Sequence, residues 1–239
     1  MKIALIGYGK MGHEIEMAAL ARNHQIVLTI DKDNQNDLNH ENIRKADVAI
    51  EFSTPHTAFQ NIMICLEAGV PVVAGTTGWL DKLDEAKKIV SKGNSALFYA
   101  SNYSIGVNLY FRVNKVLSRY INSVKGYTAS ITEVHHTQKL DAPSGTAITL
   151  AQIVSESADG LNGWTLLPEK ENGKIPIESI REGVVPGTHI LTFDSDVDEI
   201  VFTHRAKNRK GLASGAVLAA EFLIGKKGFF TMDNLLKIE

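Results

Sequence analysis

The sequence predicts an α/β protein in which a parallel sheet wrapped by helices is joined to an α+β segment whose sheet is mixed or antiparallel. Three observations predict it. Over the first hundred residues short apolar runs alternate with longer amphipathic ones, the pattern of a strand followed by a covering helix. A glycine-rich turn, Gly7-Tyr8-Gly9-Lys10-Met11-Gly12, stands between the first apolar run and the first amphipathic stretch. After Ser101-Asn102 the pattern changes to one long helical stretch and then to strand-like runs separated by turn residues.

Strands are expected at residues 2–6, 26–30, 48–52, 70–74 and 96–99, each rich in Val, Ile, Leu and Phe with little alternation, as strands covered on both faces require. Between them, residues 11–22, 57–67 and 80–90 carry apolar side chains at helical spacing, with Phe59, Ile62, Met63 and Leu66 as the example in the second. Asn23 and Gly69 mark helix stops. Residues 104–120 read as a long helix and 129–135 as a strand. Residues 175–181, 189–193 and 199–202 follow as further strands of an antiparallel α+β pattern. The stretch 160–173, with Asn162, Gly163, Pro168, Asn172 and Gly173, reads as a mobile loop. Residues 215–224 form another apolar helix, followed by Phe229-Phe230 and 232–236, a segment that returns to the first part. Two domains are therefore expected, 1–103 with 209–239 and an inserted 104–208, the chain crossing between them near Ser104 and near Asn208-Arg209.

Composition narrows the functional classes. A chain of 239 residues, 44% hydrophobic and 22% charged, buries a real core and is neither disordered nor fibrous. With 25 basic against 27 acidic side chains the formal charge is −2, and Lys and Arg are dispersed, the densest cluster being Arg205, Lys207, Arg209 and Lys210; no nucleic-acid partner is expected. Cys65 is the only cysteine, so no intrachain disulfide forms and a cytoplasmic location is expected. The apolar run after Met1-Lys2 is too short for a signal-peptide core, and no stretch approaches the roughly 18 apolar residues of a membrane span.

Gly7-Tyr8-Gly9-Lys10-Met11-Gly12 follows a strand and opens a helix, the context in which G-x-G-x-x-G binds a dinucleotide, and it makes the first domain Rossmann-type. Gly7 permits the tight turn, Gly9 lets a pyrophosphate approach the backbone, and Gly12 allows close helix packing. Asp31, at the end of the second strand, is placed to accept hydrogen bonds from the adenosine ribose hydroxyls, while the ammonium of Lys32 beside it suits a 2′-phosphate; NADH and NADPH both remain open as cofactors. Phe52-Ser53-Thr54-Pro55 and Gly75-Thr76-Thr77-Gly78 follow the third and fourth strands, where small residues leave room for a nicotinamide ribose or simply cap helices.

Glu133-Val134-His135-His136-Thr137-Gln138-Lys139-Leu140-Asp141-Ala142-Pro143-Ser144-Gly145-Thr146-Ala147 is the most informative stretch, since nothing between His135 and Lys139 is apolar. Pro143 suits the first turn of a helix, and the amides of Ser144, Gly145 and Thr146 would then face an anion. Lys139 next to those amides makes a carboxylate site, and a histidine beside it supplies a proton near neutral pH. Neighbouring histidines on a strand point to opposite faces and the sole cysteine is distant, so no metal site is expected.

Here the sequence resembles the dihydrodipicolinate reductases, or 4-hydroxy-tetrahydrodipicolinate reductases, of diaminopimelate and lysine biosynthesis. The likeness is carried by Glu133–Ala147 and extends over most of the chain. It runs through Gly7 to Gly12, Phe52-Ser53, Gly75 to Gly78, Ser101-Asn102-Tyr103-Ser104-Ile105-Gly106-Val107-Asn108, Arg181-Glu182-Gly183 and Gly187-Thr188-His189. The resemblance implies reduction of a cyclic imine dicarboxylate by NADH or NADPH in a cleft between the domains. His135 would be the acid/base and Lys139 a proton donor and substrate anchor. His136, Gly145 and Thr146 would bind the carboxylates. Gly75, Thr76, Thr77, Ser101, Asn102, Tyr103 and Ser104 would hold the nicotinamide half. It further implies a homotetramer joined through the sheet of the substrate domain. Another reductase of imino or amino dicarboxylates, such as an aspartate dehydrogenase, and a non-catalytic nucleotide sensor are the alternatives on the same plan.

Overall fold

Apolar strands buried on both faces set the first sheet. The computed structural model describes residues 1–124 and 126–237. Its chain order is β1 (Lys2–Ile6), α1 (Lys10–Ala21), β2 (Gln25–Ile30), α2 (His40–Ile43), β3 (Val48–Glu51), α3 (Pro55–Glu67), β4 (Val72–Ala74), α4 (Leu83–Val90) and β5 (Ala96–Tyr99). There follow α5 (Ile105–Val124), β6 (Thr128–His135), α6 (Gly145–Ser155), β7 (Trp164–Leu166), β8 (Ile175–Arg181), β9 (Thr188–Asp194), β10 (Glu199–Arg205), α7 (Lys210–Leu223), β11 (Gly228–Phe230) and α8 (Met232–Leu236). The chain divides into two units, Met1–Ile105 with Arg209–Glu239, and Gly106–Asn208. Ile238 and Glu239 of the expected 209–239 segment, and Lys125, lie outside the described residues.

In the first unit six strands run parallel in the order β11-β5-β4-β3-β1-β2. Alternate residues serve opposite faces: Ile3, Leu5, Ile50 and Phe98 pack beneath Ile15 and Ala19 of α1 and Ala213, Ala216 and Ala220 of α7. Ala4, Ile6, Val72 and Leu97 pack beneath Ile62 and Cys65 of α3 and Ala86 of α4. β1 is flanked by β2 on one side and β3 on the other, so the connections diverge at its carboxyl end, where ligands bind in such sheets. Several boundaries differ from expectation for local reasons. β4 begins after Pro71, which has no amide to give. α3 begins two residues early because Pro55 suits its first turn. The expected helix 80–90 is a short 3₁₀ turn, Leu80–Lys82, followed by α4.

The second unit holds a five-stranded sheet in the order β10-β9-β6-β8-β7. It is mixed rather than antiparallel, because α6 makes the β6-to-β8 connection a crossover: β6, β8 and β7 pair in parallel, and β9 joins β6 and β10 antiparallel. The expected mobile loop 160–173 contains β7, which is anchored through Trp164 and Leu166 opposite Ile175 and Ile177. α5 and α6 cover one face, burying Tyr110, Ile131, Leu150, Val154, Ile177 and Leu191 together. Along that face β6 changes from apolar Ile131 to Glu133 and His135. Among the described residues no helix is long and apolar enough to cross a membrane.

Candidate active site

The glycine turn closes β1 against its neighbours. Gly7 donates to Ile30 O at 2.8 Å and Phe52 donates to Ile6 O at 2.7 Å. A Cβ on Gly7 would lie 2.1 Å from the Phe52 carbonyl oxygen, and its φ of +92° is one that side chains resist, so only glycine closes this turn. Gly9 caps α1 without a side-chain hydrogen bond, and nothing lies within 4 Å of where its Cβ would stand. Free first-turn amides over an open glycine fit a dinucleotide pyrophosphate. The side chains between the glycines have other tasks: Tyr8 donates to Glu16 and Met11 packs in the core, while Lys10 is exposed. Asp31 stands exposed beyond β2, one oxygen accepting the Lys32 amide at 2.8 Å.

The loops after β3 and β4 are bound to each other by Glu51, a buried acid that periodicity reads only as a strand end. Its carboxyl accepts from the Ser53 amide at 3.0 Å, the Ser53 hydroxyl, and Thr76 Oγ1 at 3.1 Å. Burial pushes that carboxyl up, and the hydroxyls and amide of Ser53 and Thr76 pull it partly back. Gly75 is tied to the Phe52 ring, whose atoms would lie 2.1 Å from a Cβ there. Thr76 is thus committed through its hydroxyl, while Thr77 is exposed. Beyond β5, Ser101 is exposed, Asn102 accepts the Ser104 amide at 2.8 Å, and Tyr103 is a correction: its ring is buried and its hydroxyl donates to Ala74 O at 2.7 Å, so only its backbone is left for a ligand.

In the second unit, strand register gathers the polar groups. Glu133 sits opposite Ser179 on β8 and His189 on β9, His135 opposite Arg181, and His189 opposite His204 on β10. Glu133 is fully buried. Its Oε1 accepts from the Ser144 amide at 3.0 Å, Ser179 Oγ at 2.8 Å and Arg181 Nη2 at 3.1 Å. Its Oε2 lies 3.3 Å from His135 Nδ1 and 3.9 Å from His189 Nε2. Burial opposes the Glu133 charge, but the contacts from His135, Ser144, Ser179 and Arg181 outweigh it and hold the carboxyl well below the usual carboxylate range.

Two expectations about the turn are corrected. Pro143 stands before the helix rather than in it: Ser144 is the N-cap, accepting the Ala147 amide at 3.2 Å, and Gly145 is the first helical residue. The Ser144 amide, expected to face an anion with those of Gly145 and Thr146, is taken by Glu133; Gly145 has open space where a Cβ would be. Lys139 is held in the turn by its amide to His136 O at 3.1 Å, and its ammonium grips both oxygens of Asp141 at 2.7 and 2.8 Å. Arg181 closes the same turn by donating to Asp141 O at 2.7 Å. His136 is half-buried beside these groups. Glu133, Arg181 and His189 carry no role in the sequence reading, although an acid two residues before a histidine on a strand already shares its face.

Glu133, His135 and His189 bring ligand atoms within 4.8 Å of one another. The guanidinium on the same carboxylate disfavours a cation there, and the donors around it suit proton handling. His189 is kept neutral: burial first, then the neighbouring His135, push it down to about 3 against the pull of Glu133, and its Nε2 lies 3.2 Å from Ser144 Oγ. Since the unfolded chain protonates His189 from about pH 6.5 while the fold refuses the proton until about 3, stability declines on acidification across that window, by roughly 1.4 kcal/mol per pH unit at most. Thermal unfolding of His189→Gln over a pH series should show a shallower decline than the parent. Equal slopes would remove His189 as the source.

Known proteins resemble this chain over nearly its whole length. Residues 1–103 match the family described as Dihydrodipicolinate reductase, N-terminus, and residues 106–236 the one described as Dihydrodipicolinate reductase, C-terminus. The chain is 50% identical to the 4-hydroxy-tetrahydrodipicolinate reductase of Christiangramia forsetii, over 99% of this chain and 98% of that one. It is 33% identical to the enzyme of the same name from Staphylococcus haemolyticus, over 98% and 100%. Among solved structures, dipicolinate-bound dihydrodipicolinate reductase from Paenisporosarcina superposes with a TM-score of 0.79 at 27% identity, covering 97% of each chain.

Proposed function

Because the chain belongs to the dihydrodipicolinate reductase family, we propose how its residues divide the work of that reaction. The reaction is the reduction of 4-hydroxy-tetrahydrodipicolinate to tetrahydrodipicolinate with loss of water, an oxidoreductase step of diaminopimelate and lysine biosynthesis that uses a nicotinamide dinucleotide. The observation that supports the division most strongly is the hydrogen bond joining β6 to the start of α6, Ser144 N to Glu133 Oε1, which sets a histidine and an anion-receiving helix start on one frame.

His135 is the proton donor. Its ring is nearly buried, and its Nε2 faces Gly187, where a Cβ would stand only 3.1 Å away; glycine keeps that nitrogen accessible. Lys139 anchors one substrate carboxylate, exchanging Asp141 for it, and His136 with the Gly145 and Thr146 end of α6 receives the other. With both carboxylates neutralised the ring accepts electron density, and His135 protonates the carbon next to the one reduced. When bound, the dihydronicotinamide supplies the hydride. Residues 1–103 with 209–239 hold the dinucleotide: the Gly7, Tyr8, Gly9, Lys10, Met11 and Gly12 turn its pyrophosphate, and Gly75, Thr76, Thr77 and Ser101 to Ser104 its nicotinamide half. Asp31 takes ribose hydroxyls and Lys32 a 2′-phosphate, so both NADH and NADPH serve. Residues 104–208 hold the substrate; the Paenisporosarcina relative is dipicolinate-bound, and a dicarboxylate of that class is expected to compete with the substrate here.

The outer face of the second sheet carries Ile180 and Val201, 37% and 48% exposed, and four chains joined there make a cytoplasmic homotetramer. Absorbance of the reduced nicotinamide, followed with NADH and then NADPH while a synthase makes the substrate from pyruvate and aspartate semialdehyde, tests the assignment. Oxidation of both cofactors, dependent on both precursors and slowed by dipicolinate, is expected, with light scattering giving the mass of four chains. Oxidation of one cofactor alone would overturn the shared role of Asp31 and Lys32.

A further inference from the structure

We propose that Glu133 is a positioning residue that couples the proton donor to the carboxylate-binding turn, one oxygen facing the His135 ring and the other holding the start of α6. The inference rests on the assignment of His135 as donor. Three donors from two elements converge on Oε1: the Ser144 amide at the cap of α6, and the Ser179 hydroxyl and the Arg181 guanidinium on β8, the last of which also ties down the Asp141 carbonyl. Oε2 and His135 Nδ1 are both buried with no other hydrogen-bond partner, and they face each other at ion-pair distance, 3.3 Å. An imidazolium has a proton on each nitrogen, and the one on Nδ1 needs an acceptor once the ring is out of water. Glu133 is that acceptor, and it leaves Nε2 as the nitrogen that meets substrate.

The charges around the ring decide the sign. Glu133 on β6 favours the protonated ring, whereas Arg181 on β8 and Lys139 in the following turn oppose it, Lys139 being partly offset by Asp141. His189 on β9 and His204 on β10 are both pushed down by burial and add no positive charge near neutral pH. Among the described residues Glu133 is therefore the acid paired with the ring, and removing its charge leaves two cations.

Glu133→Gln separates positioning from mere support. The three donors on Oε1 dictate which way the amide turns: its oxygen must stay with Ser144, Ser179 and Arg181, so its NH₂ faces His135 Nδ1. The turn survives, but Nδ1 is forced to become an acceptor and the ring is held neutral. The expected result is a kcat about 100-fold lower with KM for the dicarboxylate within about threefold of the parent. The basic limb of the kcat profile should move to lower pH, and Glu133→Asp, which keeps the charge, should recover most of the loss. NMR of the ligand-free protein, with the His135 signal identified by its disappearance in His135→Gln, should show the ring losing its proton at lower pH in Glu133→Gln. A ring titration that does not move overturns the proposal, as does a kcat lowered evenly at every pH with KM raised, the mark of a structural role. If the ring titration moves and the kcat limb does not, the proposal stands and His135 is not the donor. Should Glu133→Gln fail to fold, Glu133→Asp carries the test: its carboxylate draws back from Nδ1 by one methylene, so a smaller shift of the ring titration to lower pH, with the basic limb of kcat moved the same way, supports the coupling, and a ring titration that does not move overturns it.

Discussion

His135→Gln lowers kcat by about two to four orders of magnitude while KM for the dicarboxylate changes little. Glutamine matches the ring's reach but holds no proton to give at neutral pH. What binds substrate stays in place, because the Ser144 amide, Ser179 and Arg181 remain on Glu133 Oε1 and the start of α6 does not move. Steady-state rates with substrate generated in situ measure the effect. A variant within threefold of the parent in kcat takes the proton-donor role away from this position.

Lys139→Ala should damage both constants, lowering kcat/KM by about 1000-fold or more, since in the proposed assignment its charge meets the substrate on binding and again as the ring accepts electron density. Part of that loss has a separate origin. In the free enzyme the ammonium chelates the Asp141 carboxylate, and Asp141 is 62% exposed. Partial burial raises that carboxyl, but the Lys139 ammonium outweighs it and keeps it ionised. With the lysine gone an unneutralised carboxylate faces an incoming dianion. The double variant Lys139→Ala with Asp141→Asn should therefore bind substrate better than Lys139→Ala alone, a non-additivity that a cycle of the four proteins measures. Additive effects would place Asp141 away from the substrate's path.

The parallel sheet and its glycine turn were legible because their signals are local. Runs such as Lys2 to Ile6 are buried on both faces and so lack alternation, and the turn lies between a strand and a helix a few residues apart. Which of the two expected forms the second sheet takes, mixed or antiparallel, was not, since strand direction depends on α6 carrying the chain across before β8 pairs with β6. The same separation hid much of the site. His135 and Lys139 share one short segment, but Glu133 acquires its meaning only when register sets Ser179 and His189 beside it from 46 and 56 residues away. Tyr103 misled for the opposite reason: it sits in a loop rich in small polar residues, yet its ring fills the space between Phe52 and Phe98 and its hydroxyl is spent on Ala74 O. Ser144 likewise reads as an anion-facing amide until Glu133 is seen to occupy it.

The first unit is completed by chain that follows the second. β11 pairs with β5 at the sheet edge, and α7 lies across β3, β4 and β5. During synthesis, then, the nascent sheet has no cover over Ile50, Val73 and Phe98 until the ribosome has made the whole of Gly106–Asn208 and α7 after it. At about 5–20 residues per second that delay lasts roughly 6–24 s. The unit begun first is finished last, and a chain released early, before α7, would leave the ribosome with an apolar surface that other nascent chains and chaperones compete to cover.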